Sequence, residues 1–116
     1  MHQEELEVRD GTLTIRVESE DWTKTLAVSG ELDLANAETL ASELRKAKGE
    51  EVAVINLDMS ELQFIDSTGI AVLVSAHRDL DESGTALRVV PSRSSAVQRV
   101  LSVTGLDAEL PFVDTD

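Results

Sequence analysis

Val52-Ala53-Val54-Ile55-Asn56-Leu57 and, a few residues on, Phe64-Ile65-Asp66-Ser67-Thr68-Gly69-Ile70 decide how this chain folds. The first run is an apolar strand pattern. In the second, Ile70, Leu73, Val74 and His77 fall at i, i+3, i+4 and i+7, which is a helix period. Asp66-Ser67-Thr68-Gly69 therefore sits where a strand and a short loop hand over to a helix N-terminus. Unpaired N–H groups and the positive end of the helix dipole make such a place tolerant of an anion. A serine there serves as a cap, as a nucleophile, or as a residue that can be turned into an anion.

Working outward, Val52 to Leu57 is apolar on both faces, which predicts a central strand covered on both sides. The helix after it is expected from about Thr68 to Glu82, with Gly84 as its stop. Ala86 to Val90 reads as a strand ended by Pro91. Ser92 is placed to cap a helix that carries Val97, Val100, Leu101 and Thr104 on one face and closes at Gly105. Leu110 to Val113 can add a short last strand. Upstream, Leu13, Ile15 and Val17 alternate strictly. Trp22, Lys24, Leu26 and Val28 share one face of a second run, with Thr23, Thr25 and Ala27 opposite, so the two runs read as an antiparallel hairpin. Gly30-Glu31-Leu32 leads to a helix with Ala37, Leu40, Ala41, Leu44 and Ala47 in phase. Asp33 or Asn36 is placed to cap it, and Gly49 lies at its C′ position. Residues 1 to about 9 are acidic and expected to fray. The order is β-β-α-β-α-β-α-β: an α/β chain with a mixed, mostly parallel sheet that opens on an antiparallel hairpin. Its 116 residues form a single domain with no internal repeat or linker.

Composition narrows the function classes. The net charge of −13, from 23 acids and 10 bases, argues against nucleic acid and against anionic membranes, both of which need a basic face. It suits solubility, or steering toward a basic protein partner. With no cysteine there is no disulfide scaffold and no thiolate chemistry. No apolar run reaches the roughly 20 residues that cross a bilayer. Met1-His2-Gln3-Glu4-Glu5 has neither the basic nor the apolar part of a signal peptide, so a cytoplasmic protein is expected. Aromatic residues are limited to Trp22, Phe64 and Phe112, which leaves the core to aliphatic side chains.

Enzyme readings fail on placement. In a hydrolase with Ser67 as nucleophile, His77 as base and Asp66 or Asp58 as orienter, the base would stand roughly 15 Å away along one helix. A base must come within about 3 Å of the proton it takes. The other histidine, His2, is in the acidic terminus, and the G-x-S-x-G elbow is absent. Metal binding would rest on Glu31, Asp33, Asp58 and Asp66 alone, which read more simply as solvated loop acids. Neither phosphate-cradling glycine motif occurs.

Taken together, Gly30-Glu31-Leu32-Asp33, Ile55-Asn56-Leu57, Phe64 to Ile70, Ala96-Val97-Gln98-Arg99-Val100-Leu101 and Thr104-Gly105-Leu106 resemble the STAS domain of bacterial anti-sigma factor antagonists. The resemblance runs through nearly the whole chain in the family's order. It implies a STAS-type fold and a non-enzymatic, cytoplasmic regulator expected as a monomer, with Ser67 as the phosphoacceptor.

 It also implies a partner, an anti-sigma serine kinase that binds ATP itself, so that this chain needs no cofactor. Unphosphorylated antagonist binds that kinase and frees a sigma factor; phosphorylation of Ser67 switches it off, and a serine phosphatase resets it. Asp33 matches a position on the kinase-facing surface. Glu31, Asp66, Thr68 and Gly69 join it as partner-binding residues, with Gly69 expected to let the partner approach the backbone and Thr68 a lesser candidate for the phosphate. Ala71 stands where the family often has a second glycine. A phosphoryl group adds about −1.5 to −2 charge, which implies a local electrostatic switch in place of refolding. STAS domains also occur as accessory subunits of transport ATPases and as tails of anion transporters. The first is the alternative reading, and the second is disfavoured because no membrane segment precedes the domain.

Overall fold

Strict alternation builds the sheet. The protein, seen here as a computed structural model, is described for residues 3–49 and 51–113. Leu13, Ile15 and Val17 of β2 (Leu13–Glu20) are buried, as are Lys24, Leu26 and Val28 of β3 (Thr23–Leu32). The two strands pair antiparallel with Ile15 opposite Val28 and Val17 opposite Leu26, so their apolar faces coincide. Trp22 lies in the turn ahead of β3 and is 70% exposed. It does not share the buried face of the run, because the turn ends the alternation.

The acidic start does not fray from Gln3 onward. Residues Gln3–Asp10 form β1, antiparallel to β2, with Leu6 opposite Val17 and Val8 opposite Ile15. Apolar residues on one face, with Glu5 and Glu7 on the other, suffice once β2 offers a template. The same acids make the free edge a poor template for another chain. Met1 and His2 lie outside the described residues.

Helix α1 (Ala37–Lys48) turns Leu40, Leu44 and Ala47 inward and ends at Gly49, whose φ of −77° is right-handed, so no left-handed cap forms there. Strand β4 (Val54–Ile65) is twice the expected length and pairs parallel with β3. Helix α2 (Ser67–Ser83) follows at once and stops at Gly84, whose φ of 81° lets Thr85 N–H reach the Leu80 carbonyl at 3.0 Å. Strand β5 (Ala86–Val90) pairs parallel with β4. Helices α3 (Ser95–Val103) and α4 (Leu106–Glu109) complete the order. The segment expected as a last strand makes one parallel bridge, Phe112 to Val89, with α4 inserted before it.

The sheet runs β1-β2-β3-β4-β5, two antiparallel pairings followed by two parallel ones. Its buried side is continuous in register, through Leu26, Leu57 and Val89 and through Ile55 and Leu87. The opposite side carries Arg16, Thr25, Asn56, Asp58 and Arg88, none of them buried. The expectation that the central strand is covered on both faces is therefore corrected. Val54 is only half-buried and is not among the hydrophobics packed on the core, whose strand residues all lie on the other face. Among the described residues no helix is long and apolar enough to cross a membrane.

Candidate partner-binding and modification site

Two register shifts build the site. Between β3 and β4 the pairing passes from Ala27–Asp58 to Ser29–Glu61, then from Gly30–Leu62 to Glu31–Phe64, so β4 carries an extra residue at each step. Such bulges re-aim side chains near functional sites. Here the inward residues change spacing from two to three: Met59, Leu62 and Ile65 are buried while Phe64 remains 45% exposed. Gly30 makes the matching kink in β3. Its φ is 91°, and a Cβ would fall 1.8 Å from the Thr12 carbonyl oxygen, so no other residue fits.

The pairing persists to the end of both strands, with Leu32 beside Ile65 and Asp66 N–H donating to the Leu32 carbonyl at 3.2 Å. Asp66 is the N-cap of α2. Its Oδ1 accepts from Gly69 N–H at 3.0 Å, and its Oδ2 accepts from Leu34 N–H at 3.0 Å. One carboxylate thus closes the helix start and fastens the β3–α1 loop to it. Hydrogen bonds to an ionised acceptor are the stronger kind, about 1.5–3 kcal/mol net.

That loop is held from within as well. Asn36, only 3% exposed, accepts from Asp33 N–H through Oδ1 at 2.9 Å and donates from Nδ2 to the Glu31 carbonyl at 2.9 Å. Asp33 Oδ1 accepts from Ala35 N–H at 3.0 Å. Asn36 occupies the N-cap position of α1, yet its side chain makes no cap bond because it turns back into the loop. The result is a turn held by four side-chain hydrogen bonds, with Leu34 77% exposed at its crest.

Ser67 takes the first helical position and is exposed, while Thr68 is half-buried and lines the groove between α1 and α2. Gly69 is buried. A Cβ there would lie 2.8 Å from Leu32 Cγ and 2.9 Å from Ile65 Cγ1. Its lack of a side chain lets the helix start pack closely on the strand ends.

The structure brings Glu31, Asp33, Asp66, Ser67, Thr68 and Gly69 to one end of the sheet, at the C-terminal ends of β3 and β4. Asp58 stays apart, within β4 beside Ala27 and Val90, with Oδ1 accepting from Ser60 N–H. His77 lies far along α2 and half-buried. Sequence reading missed Leu34, whose isolated place in a loop carries no periodicity, and treated Phe64 only as part of the motif. Ser92 was expected to cap α3; the cap is Ser94, whose Oγ accepts from Val97 N–H at 3.5 Å. Ser92 is buried and donates to the Leu62 carbonyl at 2.7 Å.

The STAS domain family model matches residues 5–115. The anti-sigma-B factor antagonist of Listeria monocytogenes is 32% identical over 79 residues, covering 68% of each chain. A crystal structure of an anti-sigma factor antagonist from Mycobacterium paratuberculosis superposes with a TM-score of 0.78 at 29% identity, covering 89% of this chain and 86% of that one. The antagonist SpoIIAA shares the fold in its unphosphorylated form (TM-score 0.74, 22% identity, 88% of each chain). Its phosphorylated form, from Bacillus, does so too (TM-score 0.67, 21% identity, 88% and 91%). The chain belongs to the STAS domain family and, within it, to the anti-sigma factor antagonists.

Proposed function

We propose that this chain binds an anti-sigma serine kinase when unphosphorylated, releasing a sigma factor, and that phosphorylation of Ser67 by that kinase ends the interaction. A serine phosphatase would restore the binding form. The observation that carries the reading is Ser67 itself. It is exposed at the first position of α2, one residue after a cap that the fold fastens at both carboxylate oxygens.

The physics favours a local switch. The phosphoryl group brings about −1.5 to −2 charge and three acceptor oxygens to a helix N-terminus, which the isolated fold tolerates. Asp66 is adjacent in sequence, Asp33 stands on the loop that Asp66 fastens, and Glu31 lies at the end of β3 just before it. A partner surface that desolvates Ser67 therefore meets an uncompensated dianion among acids. A hundredfold loss of affinity corresponds to about 2.8 kcal/mol, which such a group supplies without refolding. Thr68, half-buried toward α1, is the poorer acceptor.

The test is incubation with purified anti-sigma serine kinases of the source organism and ATP, followed by mass spectrometry. One phosphate on Ser67, absent from Ser67→Ala, is expected. Phosphate on Thr68 or elsewhere, or none with every kinase, overturns the reading.

A further inference from the structure

Large apolar side chains left in solvent are few: among the described residues, Leu6, Trp22, Leu34, Phe64 and Val103. Two of the five belong to one corner. Phe64 lies two residues before Asp66, in register with Glu31, and the Leu34 amide is bonded to the Asp66 carboxylate. They bracket Ser67.

Leu34 is not exposed by default. Leucine gains from burial, yet Leu34 stays 77% exposed. Here the backbone on both sides is tied by Asp33 N–H to Asn36 Oδ1, Ala35 N–H to Asp33 Oδ1, Leu34 N–H to Asp66 Oδ2 and Ala37 N–H to the Asp33 carbonyl. A buried asparagine is committed to the same purpose. The loop is built to hold the leucine out. Phe64 is likewise turned out by the second register shift in β4. A side chain presented on a fixed backbone loses little freedom on binding, which is what an interface anchor requires.

The surroundings fix the partner's chemistry. The stretches 30–36 and 64–69 contain Glu31, Asp33 and Asp66 and no lysine or arginine, in a chain of net charge −13. A surface that fits must offer apolar recesses rimmed by basic residues. A second copy of this acidic chain does not.

We propose that Leu34 and Phe64 are the apolar anchors by which the anti-sigma serine kinase docks, seated in recesses rimmed by lysine and arginine. This rests on the function proposed above and adds the residues that carry its affinity. The anchors also explain why phosphate at Ser67 is so effective. Seated in the partner beside the Asp66 cap, they keep water from the serine, so the new charge has little solvent to screen it. Glu31, exposed at the rim, acts mainly on the rate of encounter.

The test is binding to the purified kinase that phosphorylates Ser67, with thermal unfolding as the check on folding. Leu34→Ser and Phe64→Ser each unfold near the wild-type temperature and bind at least tenfold more weakly. Leu34→Met binds within threefold of wild type. Leu34→Lys, which places a cation against the basic rim, loses more than Leu34→Ser. Glu31→Gln slows association at low salt, an effect that fades as salt is raised. Folded Leu34→Ser and Leu34→Lys proteins that bind within twofold of wild type, while Ser67→Asp still weakens binding, overturn the anchors and leave the switch intact. A wild-type chain that neither binds nor is phosphorylated by any such kinase overturns both.

Discussion

Helices α2 and α3 begin alike. Each follows a parallel strand, each has a side-chain cap, and each places an exposed serine at its first position, Ser67 and Ser95. The difference lies in what the cap touches. At α2 the Asp66 carboxylate reaches across to Leu34 in a neighbouring loop. That bond joins two surface segments with an exposed apolar residue on each. At α3 the bonds run back into the sheet: Ser94 Oγ to the Gln63 carbonyl at 3.3 Å, Ser92 Oγ to Leu62, and Arg93 N–H to the Ser60 carbonyl. Arg93 also pairs with Glu61 at 3.1 Å. A serine at a helix start is thus common to both, and only one of the two sits in a surface organised for contact. An anion-tolerant position is not yet a switch.

The largest expected effect tests that distinction. Protein phosphorylated on Ser67 binds the kinase about a hundredfold more weakly, some 2.8 kcal/mol. Ser67→Asp, with roughly half the charge, loses at least tenfold by about the same reasoning. Ser95→Asp, by contrast, changes affinity less than about twofold, because Arg93 is nearby and the cap before it, Ser94, is tied back into the sheet. Titration calorimetry on the three proteins decides the matter. Equal losses at Ser67 and Ser95 would show that general charge, and not the local setting, controls binding.

How far the sequence disclosed this contrast follows from where periodicity survives. The β2–β3 hairpin and α2 were legible because Leu13, Ile15 and Val17 alternate and Ile70, Leu73 and Val74 keep helix phase. Asp66-Ser67-Thr68-Gly69 was legible as a motif at a helix start. The far half of β4 was not, because two register shifts change its inward spacing from two to three and erase the alternation. β1 was obscured by acids that leave only Leu6 and Val8 to mark a face. The single-sided cover of the sheet was hidden because Val54 reads as core although it lies on the face away from the core residues. Leu34 gave no signal at all: its meaning comes from hydrogen bonds made by Asp66, more than thirty residues away.

A second, smaller contrast concerns the caps themselves. Asp66→Ala removes a charged cap and the bond to the β3–α1 loop together, and should cost about 2 kcal/mol. Ser94→Ala removes a longer, neutral cap bond and should cost about 1 kcal/mol or less. Denaturant unfolding gives both values. Amide exchange separates the two causes, since only Asp66→Ala should speed exchange at Leu34, in the other loop. If Leu34 exchange stays slow in that variant, the carboxylate is not what holds the loop, and Asp33 with Asn36 suffices.

The last contrast lies at the third helical position, where the two starts differ most in packing. At α3 it is Val97, fully buried and filling space; at α2 it is Gly69, with Leu32 and Ile65 closing over it. Gly69→Ala gains about 1 kcal/mol of helix propensity. It also drives a methyl to 2.8 Å from Leu32 Cγ and 2.9 Å from Ile65 Cγ1. Overpacking of this kind costs roughly 1–3 kcal/mol, so the net should be a loss of about 1 kcal/mol. The neighbours are side chains and can give way, which keeps the figure small. Leu32 is also the residue whose carbonyl receives Asp66 N–H, so the shift should reach the switch: kinase affinity is expected to fall about threefold with stability otherwise adequate. A Gly69→Ala protein more stable than wild type and equally tight would mean that the helix start tolerates displacement, and that close packing at Gly69 is not what positions Ser67.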